Sequence, residues 1–151
     1  MEEILEQEVQ CTGRLLECLA AERSALTRRD LDLLEDTTRG KIRYTRKLEQ
    51  LEQQREALVT ELGFAPGPDT LLDCFRSLPR ADTLTGLWQQ VLKNTEACQT
   101  GNLTNGGILE TSRQHVEQAL SILRGQSGTP SLYSPSGDTS ANLGQRELGK
   151  V

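Results

Sequence analysis

The residues best equipped for chemistry in this chain are four cysteines, Cys11, Cys18, Cys74 and Cys98, and a single histidine, His115. A zinc site needs soft ligands brought together in closely spaced pairs such as Cys-x-x-Cys. No such pair exists. Cys11 and Cys18 share a helical face but lie two turns apart, too far for a disulfide or a common ion. The four thiols therefore read as reduced, small hydrophobes of a core or its boundary. His115 has neither a nearby nucleophile nor a second ligand and reads as a surface residue. Aspartates and glutamates fall on the polar faces of helical stretches, with no spacing that sets up a paired acid and base. No catalytic residue, cofactor site or metal site is expected.

The run Gly101–Gly107, GNLTNGG, is the remaining chemical candidate. A phosphate cradle would need a preceding strand and a G-x-x-x-x-G-K-[ST] pattern, and it has neither. Asn-Gly is a strong turn signal and Gly107 reinforces it, so the run taken alone splits its region into two helices.

The elements that carry these residues are helical throughout. With 35% hydrophobic, 26% charged and 3% aromatic residues, the 151-residue chain builds one modest core from leucine and alanine. A net charge of -5 argues against duplex nucleic-acid binding and against adhesion to anionic lipid. Met1-Glu2-Glu3 is acidic where a secretory signal would be basic, and no run approaches the ~18 apolar residues of a membrane span. A soluble, cytoplasmic protein is expected, with no membrane insertion.

Apolar residues at three- and four-residue steps predict a helix over 3–27, from Ile4 and Leu5 through Leu15, Leu16 and Leu19 to Leu26. Asp30 is an N-cap for a second helix over 31–62, and so short a junction folds the two back as an antiparallel hairpin. In the second helix Leu48, Leu51, Leu58 and Leu62 form a seam, with Arg55 filling one position through its aliphatic stem. Ile42 and Tyr44 are its main packing groups near the start. Gly40 reads as a loose point whose replacement by alanine is neutral or stabilising. Pro66-Gly67-Pro68 breaks the chain, Asp69 caps a short helix over 69–77, and Asp82 or Thr83 starts a helical region over 82–124. Leu84, Leu87, Trp88, Val91 and Leu92 share one face of that region, with Trp88 locking it onto the hairpin. The fold class is all-α: a hairpin, a connecting helix and a third long helical region that Gly101–Gly107 leaves continuous, kinked or broken. Residues 1–124 make the bundle and 125–151 a polar tail too poor in apolar residues to order alone.

From Ile108 onward two apolar stripes run together, Leu109, Val116, Leu120 and Leu123 beside Ile108, Ala119 and Ile122. One neighbouring helix needs an apolar arc of ~100°, and this arc is wider. Such a helix is either buried between two neighbours of its own bundle or packs one flank inward and offers the other to a partner. Leu132-Tyr133, isolated in the polar tail, is either a short docking element that orders on a partner or a chance apolar pair.

Trp88, then Asn102-x-x-Asn105-Gly106, then a helix ending in Leu120-x-x-Leu123, then Leu132-Tyr133-Ser-Pro-Ser-Gly137, resembles the FlgN-type flagellar export chaperones. Ala25-Leu26-x-x-x-Asp30 and Lys47-Leu48-x-x-Leu51 are similar to that family as well, while Gly107 departs from its pattern. The resemblance implies a non-catalytic chaperone that binds the terminal coiled-coil segments of hook-associated proteins and delivers them to the export gate's cytoplasmic domain. It assigns client binding to Ile108, Leu109, Val116, Ala119, Leu120, Ile122 and Leu123, and gate docking to Leu132 and Tyr133. The free protein would be a monomer or weak homodimer. The competing reading is a structural helical-bundle protein that self-associates through its third helix.

Overall fold

The computed structural model describes residues 1–124. Four helices account for nearly all of them: α1 (Glu2–Arg28), α2 (Leu31–Glu61), α3 (Pro68–Ser77) and α4 (Ala81–Leu123). Met1–His115 forms one compact unit and Val116–Val151 a second.

The α1–α2 junction closes within two residues. Arg29 takes a left-handed conformation (φ 57°), which lets the Asp30 amide reach back to the Ala25 carbonyl at 3.0 Å. Asp30 then caps α2, its carboxylate accepting from the Leu33 amide at 3.0 Å. At the far end of α2, Gly63 (φ 85°) turns the chain so that the Phe64 amide bonds the Val59 carbonyl. Here the sequence expectation needs correcting: α3 starts at Pro68 with Gly67 (φ 153°), not Asp69, at its N-cap. Proline at the first helical position loses no hydrogen bond, because that amide has no partner in any helix. Likewise α4 starts at Ala81, preceded by the left-handed Arg80, rather than at Asp82 or Thr83.

The apolar core gathers where the start of α1, the end of α2, α3 and the start of α4 meet. Leu5, Val59, Leu71, Cys74, Phe75 and Leu84 are buried there, with Met1, Phe64, Leu78, Leu87 and Trp88 packed around them. Each fully buried large side chain contributes about 1.5–3 kcal/mol, so this end holds most of the hydrophobic stabilisation.

Elsewhere in α2 the packing departs from the expected seam. Leu51, Arg55 and Val59 are the buried positions, while Leu48 and Leu58 are half-buried and Leu62 is exposed. Ile42 is exposed rather than packed, and Thr37 is buried in its place. Gly40 faces Cys18 so tightly that a Cβ on it would lie 2.8 Å from the sulfur. Gly40 is a contact point between helices, not a loose one.

Gly101–Gly107 is helical throughout, and α4 passes through it without a break. Three glycines in a helix cost roughly 3 kcal/mol relative to alanine. The contacts that outweigh this cost are made by Asn105.

A candidate docking helix

Three polar layers fasten α4 to the hairpin. In the first, Arg55 donates to buried Glu8 at 3.1 Å while its guanidinium lies 4.7 Å from the centre of the Trp88 ring. The arginine thus packs its charge as well as its stem, and Trp88 locks onto α2 partly through that charge. The other Glu8 oxygen is buried with no hydrogen-bond partner. Burial pushes the Glu8 carboxyl above its ordinary range, against the pull of Arg55.

The second layer lies about a turn along α1. Thr12 directs its hydroxyl to the Glu8 carbonyl at 2.8 Å and receives the Asn94 amide at 3.0 Å. Cys98 packs under the same turn, 3.7 Å from the Thr12 carbonyl. All four thiols are free, and burial raises the pKa of each, which leaves them protonated packing groups rather than nucleophiles.

The third layer is centred on Asn105, only 3% exposed. Its amide donates to the Leu19 carbonyl at 2.8 Å and to Glu22 at 2.7 Å, and its oxygen accepts from Arg23 at 3.2 Å. Glu22 in turn holds Lys41 of α2 at 2.9 Å, and Lys41 also reaches Asn102 at 3.1 Å. One asparagine therefore ties three helices together. Hydrogen bonds to charged groups contribute about 1.5–3 kcal/mol each, enough to match the cost of the glycines and keep the Asn-Gly step helical.

A signal for two of these layers was present. Glu8 and Glu22 sit in register with the apolar stripe of α1, between Leu5 and Thr12 and between Leu19 and Ala25. A carboxylate on a buried stripe implies a buried cation or amide opposite it.

Beyond Asn105 the helix presents its sequence-assigned face to solvent. In the first unit Ile108 is half-buried and Leu109 exposed. Glu110 is held to a pKa of about 2 by its hydrogen bonds from Arg113 and Gln114, which defines a polar side on the same turns. His115 is exposed, as a surface histidine should be. In the second unit Val116, Ala119, Leu120, Ile122 and Leu123 are all exposed, Leu120 at 42% and Leu123 at 82%. At 100° per residue, Val116, Leu120 and Leu123 fall within an arc of about 60°. Leu132 and Tyr133 lie outside the described residues.

Among the described residues no helix is long and apolar enough to cross a membrane, and no group of three or more His, Cys, Asp or Glu side chains converges as for a metal ion.

The family model described as FlgN protein matches residues 1–141. Two flagella synthesis proteins FlgN from Yersinia enterocolitica, one from serotype O:8 / biotype 1B, are 40% and 38% identical to the chain over 63 residues. Those stretches cover 41% of this chain and 42% of each relative, so the matched part is less than half the length of these curated relatives. A crystal structure of a candidate flagella synthesis protein FlgN from Pseudomonas aeruginosa is similar in fold, with a TM-score of 0.66 at 24% identity. The likeness covers 73% of this chain and 86% of that one.

Proposed function

Because this chain belongs to the FlgN family, we propose that it is a flagellum-synthesis chaperone that binds the terminal coiled-coil segments of hook-associated proteins and delivers them to the export gate. The observation that carries the reading is the exposed apolar face near the end of α4. Leu109, Val116, Leu120, Ile122 and Leu123 stand in water on a formed helix. Exposed leucines in helical register are what an amphipathic client helix recognises in groove-type pairing.

The chemistry required is non-covalent. A client segment made for assembly has an apolar stripe that would otherwise self-associate, and covering it with a matching stripe blocks that reversibly. Burial of apolar surface supplies about 25 cal/mol per Å². Any segment that folds on binding costs ~2–5 kcal/mol to order, which would hold affinity at a level compatible with release. Leu132 and Tyr133 are the proposed contacts with the gate's cytoplasmic domain, and the protein would act on the cytoplasmic side.

The deciding measurement is calorimetric titration of a purified hook-associated protein into the full chain and into Ile122→Asp/Leu123→Asp. The double variant should weaken binding by tenfold or more, on the order of 1.4 kcal/mol or above. Unchanged affinity, also after removal of residues 125–151, would refute the assigned surface. Tyr133→Ala should keep client binding and lose the gate domain. A stable dimer by sedimentation that the Asp variant dissolves would instead favour self-association through α4.

A further inference from the structure

A second surface lies on the α1–α2 hairpin, within the first unit. Arg39, Ile42, Arg43, Arg46 and Gln50 recur at helical steps along α2 and line an open groove of about 680 Å³ together with Cys11, Tyr44 and Lys47. A smaller depression of about 330 Å³ continues it along α1, sharing Cys11 and Tyr44 and lined also by Gly13. A Cβ on Gly13 would meet nothing within 4 Å, so that end is vacant for want of a side chain.

The charge here opposes that of the molecule. Between Asp36 and Glu49 the sequence holds five cations and no carboxylate, in a chain of net charge -5. Lys41 is consumed by Glu22, and Arg39 by Glu35 and Asp36. Arg43, Arg46 and Lys47 form no ion pair among the described residues; Arg43 rests over the Tyr44 ring at 5.6 Å. Ile42, about half exposed, sits among them with Cys11 and Tyr44 half-buried beside it. The result is an apolar strip bordered by three cations that have no ion-pair partner among the described residues.

We infer that this groove docks an acidic amphipathic helix of a second protein, at a site separate from the exposed face of α4. Charge complementarity selects the occupant. An apolar stripe would lie on Ile42, Cys11 and Tyr44 while flanking carboxylates meet Arg43, Arg46 and Lys47. A single-stranded nucleic acid would need aromatic platforms for its bases, and Tyr44 is the one aromatic side chain in the groove. An anionic membrane would be repelled by the rest of this acidic molecule. The chain's own residues 125–151 carry two acidic and two basic side chains and offer no matching charge.

The test uses the full-length protein and a labelled synthetic helix of about four turns, with leucines on one face and glutamates on both flanks. Fluorescence anisotropy should show saturable binding that weakens as salt rises, since exposed charges are screened over about 8 Å at physiological ionic strength. Arg43→Glu/Lys47→Glu should weaken it about tenfold or more, and Arg43→Gln/Lys47→Gln about threefold. Ile122→Asp/Leu123→Asp should leave it unchanged, which separates this site from the one proposed for the client. All replaced side chains are exposed, and an unchanged thermal melt of the glutamine variant would verify folding. The inference is overturned if no saturable binding occurs, or if a lysine-flanked peptide binds equally. It is also overturned if single-stranded RNA or phosphatidylglycerol vesicles bind more tightly than the peptide and lose binding in the same variants. A dimer dissolved by Arg43→Glu/Lys47→Glu would assign the groove to a second copy of the chain, and would likewise overturn it.

Discussion

Gly40 and Cys18 show how one close approach reverses a propensity argument. In isolation, alanine at a mid-helix glycine gains up to about 1 kcal/mol. Here the added carbon would stand 2.8 Å from the Cys18 sulfur, and overpacking of that kind costs about 1–3 kcal/mol. Gly40→Ala should therefore lower stability by about 1 kcal/mol in a urea melt, and Cys18→Ala in the same chain should make it neutral or stabilising. Equal effects in both backgrounds would show that the sulfur is not the obstacle. Glu8 and Arg55 give a second prediction at this scale. Arg55→Leu leaves a buried carboxylate alone and should cost about 3–5 kcal/mol, with Glu8→Leu recovering most of the loss. The pH dependence has a definite sign, because burial raises the Glu8 pKa above 4.5. The folded state holds that proton more tightly than the unfolded chain, so Glu8's contribution is present below pH 4.5 and lost as pH rises through the folded value. Glu8→Gln should flatten that fall in melts recorded across the acid range, and an unaltered slope would remove Glu8 as its source.

At the level of the element, α4 is a helix whose local signals and tertiary contacts disagree. Asn105-Gly106-Gly107 favours a turn, yet Asn105 faces inward and bonds Leu19, Glu22 and Arg23. Asn105→Ala would strip partners from buried Glu22 and the Leu19 carbonyl, about 1–3 kcal/mol for each group left unsatisfied. Hydrogen exchange should then quicken in α4 near Gly101–Gly107 more than around Leu84 or Phe75. Uniform loss of protection would mean that the helix is held by its apolar contacts instead. Gly106 and Gly107 meet nothing that a Cβ would touch. Gly106→Ala and Gly107→Ala should each raise stability by up to about 1 kcal/mol in a thermal melt. Should either variant stabilise the protein while weakening the hook-associated client, bending at this point is part of binding.

Across the first unit the cohesion changes character along the hairpin. One end is apolar, built on Leu5, Val59, Phe75 and Leu84. The other is polar, built on Glu22, Lys41 and Asn105. Apolar burial resists salt and polar ties to charged groups are more sensitive to it, so the two ends should separate in response to ionic strength. Amide protection near Leu5 and Leu84 should hold in molar salt while that near Ala25 and Asn105 falls; parallel loss would show one cooperative block.

The amino-acid pattern by itself determined the all-α class, the hairpin with its Asp30 cap, the short helix behind Pro66-Gly67-Pro68 and the apolar character of α4 after Ile108. These rest on interactions within one or two turns, where periodicity, capping and proline geometry act directly. The motifs around Trp88, Asn105 and Leu120 also led to the family that residues 1–141 match. Leu51 and Arg55 were expected in the seam of α2 and are buried, but only the tertiary structure decided that Val59 and Thr37 are buried while Leu62 and Ile42 are exposed. It also decided that Gly40 is a contact and that the glycine run stays helical. In each case the deciding partner lies on another helix: 47 residues away for Arg55 and Glu8, and 83 for Asn105 and Glu22. A local pattern carries no record of a partner so distant, and the free energy of meeting it is what overrode the local preference.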